Sequence, residues 1–268
     1  YDGPAMYAVL GLAALALFFP GVASFGFCDP YEVKIADAAR NLIDGKSTWL
    51  ASPAGRTPGS IWLTALGFSW LGIDELGGRG LIALCAVAAV LATFWVGDKL
   101  LGRRAATIGA LGLMVAPGFL LSARQLTSFA LPTLGTTLGV GGLLIAFAPP
   151  GDLVKQLDRR LGLALALVGL FLGSATVGFL SGLFVPLLVV LAARAYDDGR
   201  ARWLLGVASL AAIAAFFLAT KTKGYSWTLA GNAHWPTHAT VWTSQMKQLG
   251  FAFFPWVALA PIALALLL

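Results

Sequence analysis

Charge in this chain is confined to short gaps between long apolar runs, and the basic residues collect in alternate gaps. A hydrocarbon core about 30 Å thick needs ~20 apolar residues per helix, and Lys/Arg in alternate gaps marks the cytoplasmic side. Roughly eight runs approach that length. Hydrophobic residues make up 59% of the 268 and charged residues only 11%, against about 25% charged in soluble domains. The chain therefore reads as all-α: a polytopic transmembrane helical bundle of about eight spans, with short interfacial helices in its first outer loop.

The net charge of +6 does not point to nucleic acid, because the cations flank apolar runs as the positive-inside rule requires. The 32 glycines suit close helix–helix approach in lipid. Cys28 and Cys85 are the two cysteines, and no Cys/His spacing suits a metal. Tyr1 replaces a starting Met, and the last residues, Ala258–Leu268, lie inside an apolar run. The expectation is a single transmembrane domain, 1–268, forming the N-terminal part of a longer chain.

The first span is expected at about Ala5–Phe25. An outer loop, 26–79, follows; in it Glu32–Ile43 reads as an amphipathic helix with Val33, Ala36, Ala39, Leu42 and Ile43 on one face. Ser60–Leu71 is apolar but too short to cross, so it is expected to rest on the outer leaflet. Spans are then expected at about Leu81–Val96, Ala105–Leu121, Phe129–Ala148, Leu161–Val177, Phe179–Ala193, Trp203–Ala219 and Phe251–Leu267. The cytoplasmic gaps hold Lys99, Arg103, Arg104, Lys155, Arg159, Arg160, Arg194, Arg200 and Arg202. Among the cations of the outer gaps are Arg56, Arg79, Arg124, Lys221, Lys223 and Lys247. A second outer loop, 220–250, carries Trp227, Trp235 and Trp242, which suit an interfacial aromatic belt or a ligand platform.

Six segments in order resemble the GT-C superfamily of membrane glycosyltransferases, in the branch of protein O-mannosyltransferases and aminoarabinose-to-lipid A transferases. They begin with Asp29 and Glu32 just after the first span, and Ala36-Asp37-Ala38-Ala39-Arg40-Asn41-Leu42. Arg56-Thr57-Pro58-Gly59 and Gly102-Arg103-Arg104-Ala105 follow. Ser122-Ala123-Arg124-Gln125-Leu126-Thr127 and Gln248-Leu249-Gly250-Phe251 with Phe254-Pro255-Trp256 complete the set.

The resemblance implies sugar transfer on the outer, periplasmic face of a bacterial inner membrane, with the N-terminus cytoplasmic and a polyprenyl-phosphate-linked sugar as donor. It implies Asp29 or Glu32 as the catalytic carboxylate, and Arg56 and Arg124 on the donor phosphate. Asp37, Lys221 and Lys223 are further substrate-binding candidates. The chemistry fits these residue types: a carboxylate can take a proton from an acceptor, and a guanidinium fork matches phosphate oxygens.

Blander readings stand beside these. Asp29 ahead of Pro30 is also an ordinary helix cap; Glu32 and Asp37 are also ordinary helix-surface charges. Arg56, Arg124, Lys221 and Lys223 also suit anchoring to lipid head groups. His234 and His238 share a spacing that could hold a divalent metal, the one candidate cofactor, but Pro236 between them breaks a helix.

The family's usual catalytic Asp falls on Tyr31, its second acid on Ser128 or Phe129, and its Thr-Lys-Gly on Ser174-Ala175-Thr176. These departures support an alternative, a catalytically silent relative serving as a structural or lipid-binding subunit beside other membrane subunits. Transport is disfavoured, since the expected span interiors hold no Asp, Glu, Lys, Arg or His.

Overall fold

The computed structural model describes residues 3–27, 31–48, 58–126, 129–148, 155–195, 199, 203–211 and 214. The helices in order are α1 (Gly3–Phe18), α2 (Tyr31–Ile43), α3 (Pro58–Leu71), α4 (Glu75–Leu100) and α5 (Arg103–Val115). They continue with α6 (Pro117–Ser122), α7 (Ala130–Ala146), α8 (Gln156–Val177) and α9 (Phe179–Ala195); residues 203–211 are helical too. The fold is all-α.

Helix α4 is the central element, packing against α1, α3, α5 and α7. Its Ala83, Ala86, Ala89, Val90 and Phe94 are buried. It has 26 residues and is about 39 Å long. Helix α8, with 22 residues, reaches about 33 Å. Both are long and apolar enough to cross a bilayer, while Pro4–Phe18, Ala130–Ala146 and Gly182–Ala193 are apolar but shorter. Leu167 and Phe171 of α8 and Leu12 of α1 are each more than 60% exposed. In water such faces would be costly; facing lipid they are not.

Contacts between helices fix a common direction. Gly11 of α1 lies against Leu91 of α4 and the rings of Tyr7 and Phe94 meet edge to face at 4.8 Å, so α1 and α4 are antiparallel. Gly141 of α7 sits on Val96 of α4 and, farther along both, Ile145 and Ala148 pack with Trp95, Val96 and Leu100, so those two run the same way. Helices α7 and α8 are antiparallel, with Gly135 against Gly173 and Gly142 against Gly162. The ends of α1, α6 and α8 and the starts of α4 and α7 therefore share one end of the bundle, called here the Glu32 end. At the other, Lys99 binds Asp158 at 3.0 Å and Arg103 binds Asp98 at 3.5 Å, which brings Arg103 and Arg104 to the same end as Arg159 and Arg160.

Three boundaries differ from the sequence expectation. The first helix stops at Phe18, and residues 19–25 are turns, because Pro20 cannot continue a helix and Gly21 takes φ 82°. The expected span Ala105–Leu121 is two helices split at Ala116, which is extended at φ −63°, ψ 122°; Pro117 disfavours a helical residue before it. Arg79, expected in a loop beside a turn at Asp74-Glu75, lies within α4, whose first turn Asp74 caps by accepting from Gly77 N–H at 2.6 Å.

Helix α3 is confined to the Glu32 end. It starts against the last turn of α8, where a Cβ on Gly59 would lie 2.6 Å from Thr176 Cγ2. It ends at Gly72, whose φ of 103° turns the chain straight into α4.

Candidate functional site

The Glu32 end brings together Glu32, Arg79 and Arg124, of which the family resemblance singles out Glu32 and Arg124. Glu32, in the first turn of α2, is 2% exposed, and Arg79, in the second turn of α4, is 4% exposed. Arg79 Nε donates to Glu32 Oε1 at 3.1 Å and Nη2 to Oε2 at 2.5 Å, a two-pronged pair. Nη1 donates to the carbonyls of Val22 at 3.0 Å and Phe25 at 2.6 Å, and Nη2 to that of Gly26 at 2.9 Å. All five N–H donors of the guanidinium are thereby used. The Phe27 ring lies beneath it, 5.2 Å from ring centre to Cζ. Gly78 makes room for that ring, since a Cβ there would sit 2.9 Å from it.

Glu32 reaches a further segment. Its Oε1 also accepts from the Leu126 amide at 2.6 Å, so one carboxylate joins α2, α4 and the loop after α6. That loop carries Arg124, whose Nη2 donates to the Leu17 carbonyl in the last turn of α1. Such a carbonyl has no partner within its own helix. Arg124 differs from Arg79 in keeping donor capacity: its Nε is buried with no hydrogen-bond partner.

At the same end, a groove of about 580 Å³ lies between α7 and α8, lined by Phe129, Pro132, Thr133, Thr136, Thr137, Thr176 and Val177. Thr133, Thr136 and Thr176 each donate to the carbonyl four residues earlier at 2.7 Å. With three of its four threonine hydroxyls bonded to the backbone, the groove presents mainly apolar surface and suits hydrocarbon.

The structure thus brings Glu32 and Arg124 together through Leu126. Asp37 lies on the exposed face of α2, away from the pair. Asp29, Arg56, Lys221 and Lys223 lie outside the described residues, as do His234 and His238. Sequence reasoning missed Arg79; the available signal was an arginine flanked by glycines, Gly77-Gly78-Arg79-Gly80, at the head of an apolar run.

No protein-family profile and no curated protein sequence matches the chain. Among solved structures, the apo form of ArnT from Cupriavidus metallidurans superposes with a TM-score of 0.70 at 19% identity, over 97% of this chain and 50% of that one. ArnT from the same organism bound to undecaprenyl phosphate gives 0.71 at 16% identity, with the same coverage. The chain has a GT-C-like fold. At these identities the likeness is one of fold, and the chain spans about half the length of the ArnT structures. Within the GT-C-like architecture, Glu32, Arg79, Arg124 and the threonine-lined groove share one end of the bundle.

Proposed function

We propose that the chain is part of a membrane glycosyltransferase that moves a sugar from a polyprenyl-phosphate donor to an acceptor. The observation that carries this reading is the fold shared with ArnT, one form of which holds undecaprenyl phosphate. The gathering of charge and an apolar groove at one end supports it, because a lipid phosphate needs both cations and a hydrocarbon path. In this reading Arg124, with unused donors, and Arg56 hold the departing phosphate, with Lys221 and Lys223 as further cations. Asp29 takes the acceptor's proton as the acceptor oxygen attacks the anomeric carbon and the phosphate leaves. A divalent cation on the phosphate is the one candidate cofactor, and chelation during the assay tests it.

The proposed setting is a bacterial inner membrane, with the Glu32 end periplasmic and the N-terminus cytoplasmic. Cation number alone does not orient the chain. Lys34, Arg40 and Lys46 in and just after α2 join Arg79 and Arg124 at the Glu32 end, against Lys99, Arg103, Arg104, Lys155, Arg159 and Arg160 at the other. What favours this orientation is density, since the latter six fall in two short gaps.

A second reading, a catalytically silent subunit that binds lipid or other membrane proteins, draws on the engagement of both Glu32 oxygens with Arg79. A carboxylate so paired is a poor base. The deciding experiment is Asp29→Asn with Glu32→Gln in membranes supplied with a polyprenyl-phosphate sugar. Loss of transfer supports the enzyme; undiminished transfer removes these carboxylates from the chemistry. A wild type without turnover that co-purifies with membrane partners favours the silent subunit.

A further inference from the structure

The chain leaves Arg79 at Gly26 and returns to it at Glu32. On the departing side, Phe25 and Gly26 lend it their carbonyls and Phe27 its ring face. On the returning side, Glu32 binds it through both oxygens. The turn after α1 and the start of α2 are therefore held by a single guanidinium. Through Leu126 the same carboxylate holds the loop of Arg124.

We propose that Arg79 and Glu32 are positioning residues that set the register between the turn after α1, the start of α2 and the Arg124 loop. The role rests on the transferase reading above; the clamp itself does not. A buried ion pair contributes little net stability, because the loss of hydration offsets much of its Coulomb attraction, and its effect lies in the geometry it imposes. The geometry here depends on the planar fork. A lysine carries three donors and no fork, so it cannot meet five acceptor directions. Charge alone is not sufficient at this position.

Hydrogen exchange on the full-length protein in nanodiscs, comparing wild type with Arg79→Lys, Arg79→Gln and Glu32→Gln, tests the clamp. Exchange at residues 22–33 and 122–126 rises roughly tenfold in all three variants, while α7 and α8 keep wild-type protection. A uniform rise across every helix makes the pair a plain stability element and overturns the proposal. Unchanged exchange at 22–33 overturns it as well, and so does failure of all three variants to fold. Lysine restoring wild-type exchange removes the fork from the explanation.

Transfer kinetics with a polyprenyl-phosphate sugar supply the second arm. The expected loss is in kcat, roughly 100-fold, as for reacting groups displaced by about 1 Å, with a smaller rise in KM for the donor as the Arg124 loop loosens. Wild-type kcat in the variants overturns the positioning role. A wild type with no transfer, alongside the expected exchange pattern, refutes the transferase reading and leaves the clamp standing. An active wild type with unchanged exchange refutes the clamp alone.

Discussion

Glu32 and Arg79, 47 residues apart in the chain, meet as a buried ion pair at 2.5 Å that joins the turn after α1, the start of α2, the start of α4 and the loop after α6. Two of these four segments carry candidates for chemistry: Asp29 precedes Glu32 by three residues and Arg124 precedes Leu126 by two. The pair is the point through which the candidate site is tied to the bundle.

Removing one partner strands the other. Arg79→Met leaves an ionised carboxylate buried without its cation, a loss of about 3–5 kcal/mol. Glu32→Leu combined with Arg79→Met removes both charges and recovers only part of that. The buried Val22 carbonyl still lacks its donor and the buried Leu126 amide its acceptor, and an unsatisfied buried polar group costs ~1–3 kcal/mol. Thermal unfolding of the two variants and wild type in one detergent gives the comparison, with the double variant midway.

Two glycine substitutions should act in opposite directions. At Gly169 of α8 a Cβ would come within 2.2 Å of Gly139 N in α7, and neither backbone can retreat without parting the helices. Gly169→Ala is expected to destabilise by ~1–3 kcal/mol or more. Gly109 in α5 is exposed, and its nearest neighbour for a Cβ is Thr93 Cγ2 at 4.0 Å. Gly109→Ala should raise stability by about 0.5–1 kcal/mol through helix propensity. Unfolding midpoints measured side by side read both signs.

At the opposite end, Lys99 and Asp158 are partly exposed, at 27% and 15%, so water and salt weaken their attraction. Asp158 also accepts from the Lys155 amide at 3.3 Å as part of the α8 start. Asp158→Asn should cost no more than about 1 kcal/mol. The ionic part of that loss should shrink between low and high salt. A large, salt-independent loss would mean the cap matters more than the ion pair.

Arg124 separates the transferase reading from the bland one. If its free donors hold a lipid phosphate, Arg124→Ala should weaken binding of a polyprenyl phosphate by ~1.5–3 kcal/mol, the range for hydrogen bonds to charged groups. Stability should fall by only ~1 kcal/mol for the lost bond to Leu17. If Arg124 only closes the end of α1, the stability change remains and lipid binding is untouched. Titration of the full-length protein with the lipid phosphate, beside its unfolding curve, reads the two effects separately.

Several features were legible in the sequence because their causes are local. The amphipathic pattern of Glu32–Ile43 gives α2, and the brevity of the apolar segment after Pro58 gives α3. The opposed placement of Glu32 and Asp37 is local too: five residues turn a helix by about 500°, which puts one inside and the other outside. The split at Ala116 was also available, since Pro117 constrains the residue before it, yet the unbroken apolar composition of residues 105–121 concealed it.

By itself the sequence determined what periodicity, hydropathy and backbone restriction can fix: an all-helical chain, the identity of its apolar elements, and the confinement of charge to their ends. Only the tertiary structure decided that Arg79 belongs to Glu32, that Glu32 reaches Leu126, and that Arg124 keeps an unpartnered donor. A side chain's partner depends on which helices adjoin and at what height, and that is set by the summed packing of α1, α4, α7 and α8. No rule acting over a few residues contains the information that two groups so far apart in the chain will share one guanidinium.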